Sequence, residues 1–166
     1  MNKPVKPVPE DFRTITPHLV VRGVARAVEF YRKAFGAEEL YRNLGPDGVS
    51  VMHSELLLGD SRFFVNDVMM GAKSPRALGG SPMSLWVYVA DADALFNRAT
   101  AAGAQVAPGP MGHIQDQFWG DRTGTVIDPA GYQWTIATHK EDFTPQEMKQ
   151  RQEEFMKAFA AQSSHS

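Results

Sequence analysis

Apolar positions along this chain fall into two rhythms, a period of two that marks strands and a wider spacing that marks helices. Thr14–Val21 reads as a strand, and the segment after it places Val24, Ala27, Val28, Tyr31 and Phe35 at helical spacing with Gly36 as its stop. Glu38–Tyr41, Val49–Leu58 and Ser61–Asn66 read as three further strands, separated by turns at Gly45–Gly48 and at Gly59–Asp60. The order is then repeated. Ser84–Val89 is a strand and Asp91–Ala102 a helix ending at Gly103. Strands follow at Gln105–Ala107, at Phe118–Gly120 or slightly earlier, at Gly124–Ile127 and at Tyr132–Thr138. His18 and Ser84 stand at the same offset as Phe30 and Phe96, so the pattern predicts a duplicated β-α-β-β-β module.

The ends differ from this pattern. Four prolines in the first nine residues predict an extended arm over 1–13. Thr144, Pro145 and Glu147 form a capping box that starts a final helix whose stripe is Met148, Phe155, Met156 and Phe159. The expected organisation is an arm over 1–13, one domain over 14–142 with modules at about 14–67 and 81–139, and a C-terminal helix with a frayed tail over 143–166. The fold class is α+β, two tandem βαβββ modules forming a curved mixed sheet.

Composition narrows the chemistry. With 166 residues, 43% of them hydrophobic and 22% charged, the chain can bury a full core. A net charge of −2 without a basic run predicts neither nucleic acid nor an anionic membrane as partner. No apolar run approaches the roughly 20 residues of a membrane span, and the proline-rich start lacks the apolar stretch of a signal peptide. Cysteine is absent, so any metal would need His and carboxylate ligands, and a cytoplasmic location is expected.

The paired modules, the strand His18–Val21, the helix end Phe30–Ala37, the hairpin Glu55–Asp60 and the segment Gly120–Gly131 resemble the vicinal oxygen chelate superfamily. That superfamily includes glyoxalase I, bleomycin resistance proteins and extradiol dioxygenases, and the resemblance points to its small PhnB-like branch. It covers about residues 14–142 and implies the fold more firmly than any one activity. It also implies a homodimer with clefts near the subunit interface.

Metal-dependent members of the superfamily hold one divalent ion through four side chains. The matching positions here are His18, Ser84, Thr135 and either Phe64 or Asn66, depending on register. A usual carboxylate is replaced by Thr135, and such a set does not suit a divalent transition metal. No metal and no other cofactor is therefore expected, unless a metal site has moved elsewhere.

A cleft lined by His18, Phe64, Trp86, Tyr88, Trp119, Arg122, Trp134 and Thr135 is the expected ligand site, suited to a small aromatic or amphipathic molecule. The plain alternative for each aromatic is a place in the core. His53 and Glu55 lie two apart on one strand face and, with His18, are the candidate general acid-base groups. His113, Asp116 and Gln117 lie in a Gly- and Pro-flanked loop, where a lid role competes with simple exposure. His139 ends the last strand, where local hydrogen bonding is expected, and Asp121 with Arg122 is expected to pin the loop. Asp128–Gly131 reads as a turn without chemistry. The leading expectation is a metal-free dimeric binder. The alternatives are a lyase or dioxygenase with a relocated metal on His18 with His53, Glu55 or His113, and a metal-free enzyme using His18 or the His53–Glu55 pair as base.

Overall fold

A computed structural model of the chain describes residues 5–163, with side chains to residue 161. The first four residues of the expected arm and the last three of the expected tail lie outside the described residues. The first module comprises β1 (His18–Val21), α1 (Val24–Phe35), β2 (Glu38–Leu44), β3 (Val51–Leu58) and β4 (Ser61–Asp67). A short helix, α2 (Pro75–Leu78), occupies the connection and has no periodic signal in the sequence. The second module comprises β5 (Ser84–Tyr88), α3 (Ala92–Ala101), β6 (Gln105–Val106), β7 (Gln115–Asp116), β8 (Asp121–Ile127) and β9 (Gln133–His139), and α4 (Pro145–Ser163) closes the chain.

Several boundaries move from their expected places for local reasons. Residues 49 and 50 leave the strand because the Asp47 carboxylate accepts their amides at 3.0 and 2.9 Å, completing a turn. Residues 118–120 are a turn, and the pairing segment before it is β7. Helix α1 stops where Gly36 takes φ 73°, a left-handed value that suits glycine. At the start of α3 the Asp91 carboxylate accepts the Ala94 amide at 2.9 Å, and at α4 the Thr144 amide donates to Glu147 at 2.8 Å.

The duplication is visible in the topology. One sheet has the order β1-β4-β3-β2 and the other β5-β9-β8-β6, with β7 added beside β8. In each, the first and last strands of the module run side by side in parallel. The expected curved sheet is thus two mixed sheets. Helix α1 packs on β2, β3 and β4, α3 packs on β8 and β9, and the two helices pack on each other. Each sheet therefore turns one face to a shared helical core and the other away from it.

The seam between modules is both apolar and bonded. Trp134 of β9 is 2% exposed and packs its ring against Tyr31 and Phe35 of α1 and Phe63 of β4. The Asp128 carboxylate accepts hydrogen bonds from the Tyr31 hydroxyl at 2.8 Å and from Trp134 Nε1 at 2.9 Å. Arg98 of α3 donates to the Ala34 carbonyl at the end of α1 at 2.7 Å, satisfying a helix-terminal acceptor. The Tyr132 hydroxyl accepts the Val20 amide at 2.7 Å and donates to the Val20 carbonyl at 3.1 Å, so it caps the free edge of β1.

Candidate functional site

Strand alternation decides which predicted residues share a surface. In the second module Leu85 and Val87 pack toward the core, which turns Ser84, Trp86 and Tyr88 to the opposite face. Trp86 aligns with Thr135 of β9, and Thr135 with Thr125 of β8. These residues, with Asp121, line the outer face of that sheet. Trp86 and Tyr88 are 45% and 61% exposed, too open for structural ballast alone. Trp119, in the turn before β8, brings its ring to 6.4 Å from Trp86, and Tyr88 lies 6.2 Å from Trp86.

Asp121 organises this wall. Its carboxylate is buried and accepts the Tyr88 hydroxyl and Trp119 Nε1, both at 3.0 Å on Oδ2, while Oδ1 lies 2.7 Å from His139 Nδ1. Burial pushes the Asp121 carboxyl up, but the donors His139, Tyr88 and Trp119 outweigh it and hold it below its usual range. Asp121, and then Asp142 on the other ring nitrogen at 3.0 Å, raises His139 above the ordinary histidine value. The polar tips of both rings are thereby turned inward.

A cleft of about 420 Å³ runs along β5, lined among others by Arg13, Arg62, Phe63, Trp86, Tyr88 and the predicted Trp134. A wider open groove of about 770 Å³ lies along α1, but it holds none of the predicted residues and two of its cations, Lys33 and Arg42, are already paired with Glu29 and Glu39.

The first module presents a different face. His18, His53, Glu55 and Phe64 alternate with buried Leu19, Ser54, Leu56 and Phe63, so all four lie on the outer surface of their sheet. His53 Nδ1 contacts Asn66 Oδ1 at 2.8 Å, and Glu55 is ion-paired with Arg62. Phe64 packs at a tilt against His53 and against Phe12, whose arm folds back over this face and receives the Arg62 guanidinium on its ring. Glu55 and His53 are thus on one face, but each is engaged with a different neighbour.

Register also decides the four superfamily metal positions. His18 aligns with Phe64 in the first module, and Ser84 aligns with Gln133 in the second. Thr135, two residues further along β9, therefore corresponds to Asn66 rather than to Phe64. Ser84 Oγ lies 3.2 Å from Thr135 Oγ1, which in turn lies 3.0 Å from Thr125 Oγ1. An imidazole, a carboxamide and two mutually bonded hydroxyls do not fit a transition-metal ion. Among the described residues no group of three or more His, Asp or Glu side chains is placed to hold a metal.

Two predicted residues lie off this outer face, although Trp134 still borders the cleft from the core side. Trp134 is on the core face of β9, with its only donor given to Asp128, because its alternation is opposite to that of Trp86 and Thr135. Arg122 projects to the helical side of β8, where Asp93 of α3 grips it at 2.6 and 2.7 Å and Asp116 adds a contact at 3.2 Å. These two pairs push its pKa upward and leave no free guanidinium edge for a ligand. His113 is exposed, and Gln117 is buried with its amide donating to Thr123 at 2.9 Å. Asp128 makes the expected turn, accepting the amides of residues 130, 131 and 132 at 2.8 to 3.0 Å, and beyond that expectation accepts Tyr31 and Trp134. Burial raises its carboxyl above the usual range against the pull of Trp134, Tyr31 and those amides.

The family model of the Glyoxalase/Bleomycin resistance protein/Dioxygenase superfamily matches residues 13–136. The chain belongs to this superfamily. An uncharacterised protein of Mycobacterium tuberculosis is 44% identical over 127 residues, 74% of this chain and 72% of its own length. Among solved structures, TioX from Micromonospora sp. ML1 superposes with a TM-score of 0.61 at 29% identity, over 75% of this chain and 97% of its own. A bleomycin-binding protein solved in complex with bleomycin has a TM-score of 0.55 at 19% identity, over 77% of this chain and 99% of its own, a likeness of fold alone. Among the described residues no helix is long and apolar enough to cross a membrane.

Proposed function

We propose that this superfamily member is a metal-free, cytoplasmic homodimer of the PhnB-like branch that binds a small aromatic or amphipathic molecule. The observation that carries the reading is the outer face of β5: Trp86 and Tyr88 are exposed beside half-buried Trp119, and the polar tips of Tyr88 and Trp119 are bonded to Asp121. Exposed rings over a fixed polar anchor suit a flat ligand. The metal-free part rests on donor chemistry, since Ser84 and Thr135 spend their hydroxyls on each other and on Thr125. A complex with bleomycin on the same fold supports small-molecule binding as the type of function. The dimer rests on the superfamily resemblance and on the open β5 edge, which no other strand among the described residues pairs.

The competing reading is a lyase or dioxygenase with its metal moved to His18 with His53, Glu55 or His113. It is weaker because Glu55 is held by Arg62 and His53 by Asn66. Metal analysis of protein purified without a metal column, followed by calorimetric titration with Zn²⁺, Ni²⁺, Mn²⁺ and Fe²⁺, separates the two. No retained or tightly bound ion is the expected result; one tightly bound ion per chain would overturn the metal-free reading. A tryptophan-fluorescence screen of aromatic compounds then tests the binding itself.

A further inference from the structure

We infer that the Trp86–Tyr88–Trp119 wall selects ligands that carry a positive charge: a quaternary or tertiary ammonium group, or a protonated nitrogen heterocycle. This rests on the aromatic-binder reading and adds the charge of the ligand. The argument begins with what the rings present. Their centroids are 6.2 and 6.4 Å apart, with planes inclined by 38° and 48°, so they are tilted rather than stacked face to face; Trp86 and Tyr88 are exposed, while Trp119 also packs at right angles against Phe118. A cation near an aromatic face is attracted by the ring quadrupole, most strongly by indole.

Asp121 strengthens this attraction twice. First, it accepts the phenol of Tyr88 and the indole N–H of Trp119, and a donor bonded to a carboxylate polarises electron density toward its ring. Second, its own charge lies at the hydrogen-bonded edges of Tyr88 and Trp119 and is held below the usual carboxylate range. The cations nearby do not cancel this field. Arg122 is bound by Asp93 and Asp116, Lys140 by Asp116, and Arg151 by Glu141 and the Phe143 ring, while the two arginines lining the cleft, Arg13 and Arg62, are paired with Asp60 and with Glu55 and Asp11. His139 alone contacts Asp121, and it is shared with a second carboxylate, Asp142. Two carboxylates around one imidazole leave a negative excess in either state of the histidine. A neutral aromatic ligand gains nothing from that excess, whereas an organic cation gains from both the rings and the charge.

The test uses a pair of probes equal in shape and different in charge: benzyltrimethylammonium and its carbon isostere neopentylbenzene, titrated into the full chain at low salt with tryptophan fluorescence as readout. The cation is expected to bind about tenfold more tightly than the isostere, a preference in the range of desolvated cation–π contacts. Asp121→Asn, which keeps an acceptor oxygen but removes the charge, is expected to bring the two probes near parity. Asp142→Asn, at a fully exposed position that cannot unsettle the fold, is expected to narrow the gap by a smaller factor. Equal or tighter binding of the isostere to the unaltered chain would overturn the charge preference and leave the aromatic-binder reading standing. Failure of both probes at millimolar concentration would overturn both. A preference unchanged in Asp121→Asn and Asp142→Asn alike would remove the role assigned to the carboxylates.

Discussion

The Tyr31 hydroxyl donates a 2.8 Å hydrogen bond to the Asp128 carboxylate, joining a helix of the first module to the turn before the last strand of the second. Both groups are buried, so neither can exchange its partner for water. Asp128→Ala would leave the Tyr31 hydroxyl and Trp134 Nε1 as buried donors without an acceptor, at a cost of about 3 kcal/mol. Tyr31→Phe removes one bond of five and should cost about 1 kcal/mol. Urea unfolding of the two single variants and the double variant checks both figures, with the double expected to be less destabilised than the sum.

Trp86 and Trp134 differ in consequence although both are tryptophans on neighbouring strands. Trp134→Ala empties a core site packed by Tyr31, Phe35 and Phe63 and should cost about 3–5 kcal/mol. Trp86→Ala should change stability little, and it should weaken binding of an aromatic ligand, leaving only the Trp119 share of the fluorescence response. Thermal unfolding and ligand titration on the same two samples separate the roles. Loss of binding in Trp134→Ala with Trp86→Ala unaffected would reverse the assignment of the wall.

His139 should titrate above about 6.5, the ordinary histidine value, because Asp121 and then Asp142 favour its imidazolium. The sign of the pH effect follows from both partners. The histidine contribution is complete below its unfolded value and is lost as pH rises through the raised folded value. The Asp121 contribution is complete above the usual carboxylate range and is lost as pH falls through its lowered value. Their mutual support therefore spans mildly acidic pH. An NMR titration of His139 Cε1–H checks the direction, and Asp121→Asn should return the midpoint toward about 6.5.

Gly124 sits where β8 passes the α3 helix, and an added Cβ there would lie 2.8 Å from two Phe96 ring carbons and 3.0 Å from the Ile114 Cα. Gly124→Ala should therefore cost about 1–3 kcal/mol through overpacking. Pairing it with Phe96→Leu, which clears the ring, should recover part of the loss in a thermal melt.

Periodicity made the modules legible because α1 and most strands are buried on one side and wet on the other. It failed at β9, where residues 134 to 137 are buried on both faces and no alternation marks which way Trp134 points. Arg122 was misplaced for a related reason: its partner Asp93 belongs to another element, and only the fold brings the two together. The donors that make Asp121 a hub come from positions 88, 119 and 139, a spacing that no local motif contains. Charge and cysteine content could narrow the partner classes without locating any of these contacts.

The seam at Tyr31 and Asp128 also bears on how a duplicated chain ages. One copy has come to supply the phenol and the other the carboxylate, so the halves are no longer interchangeable. A chain assembled from two first halves would bury a phenol with nothing to receive its proton, and one assembled from two second halves would bury a carboxylate short of a donor. The repeat survives as a shape, while its two parts have become as specific to each other as the partners of an obligate heterodimer.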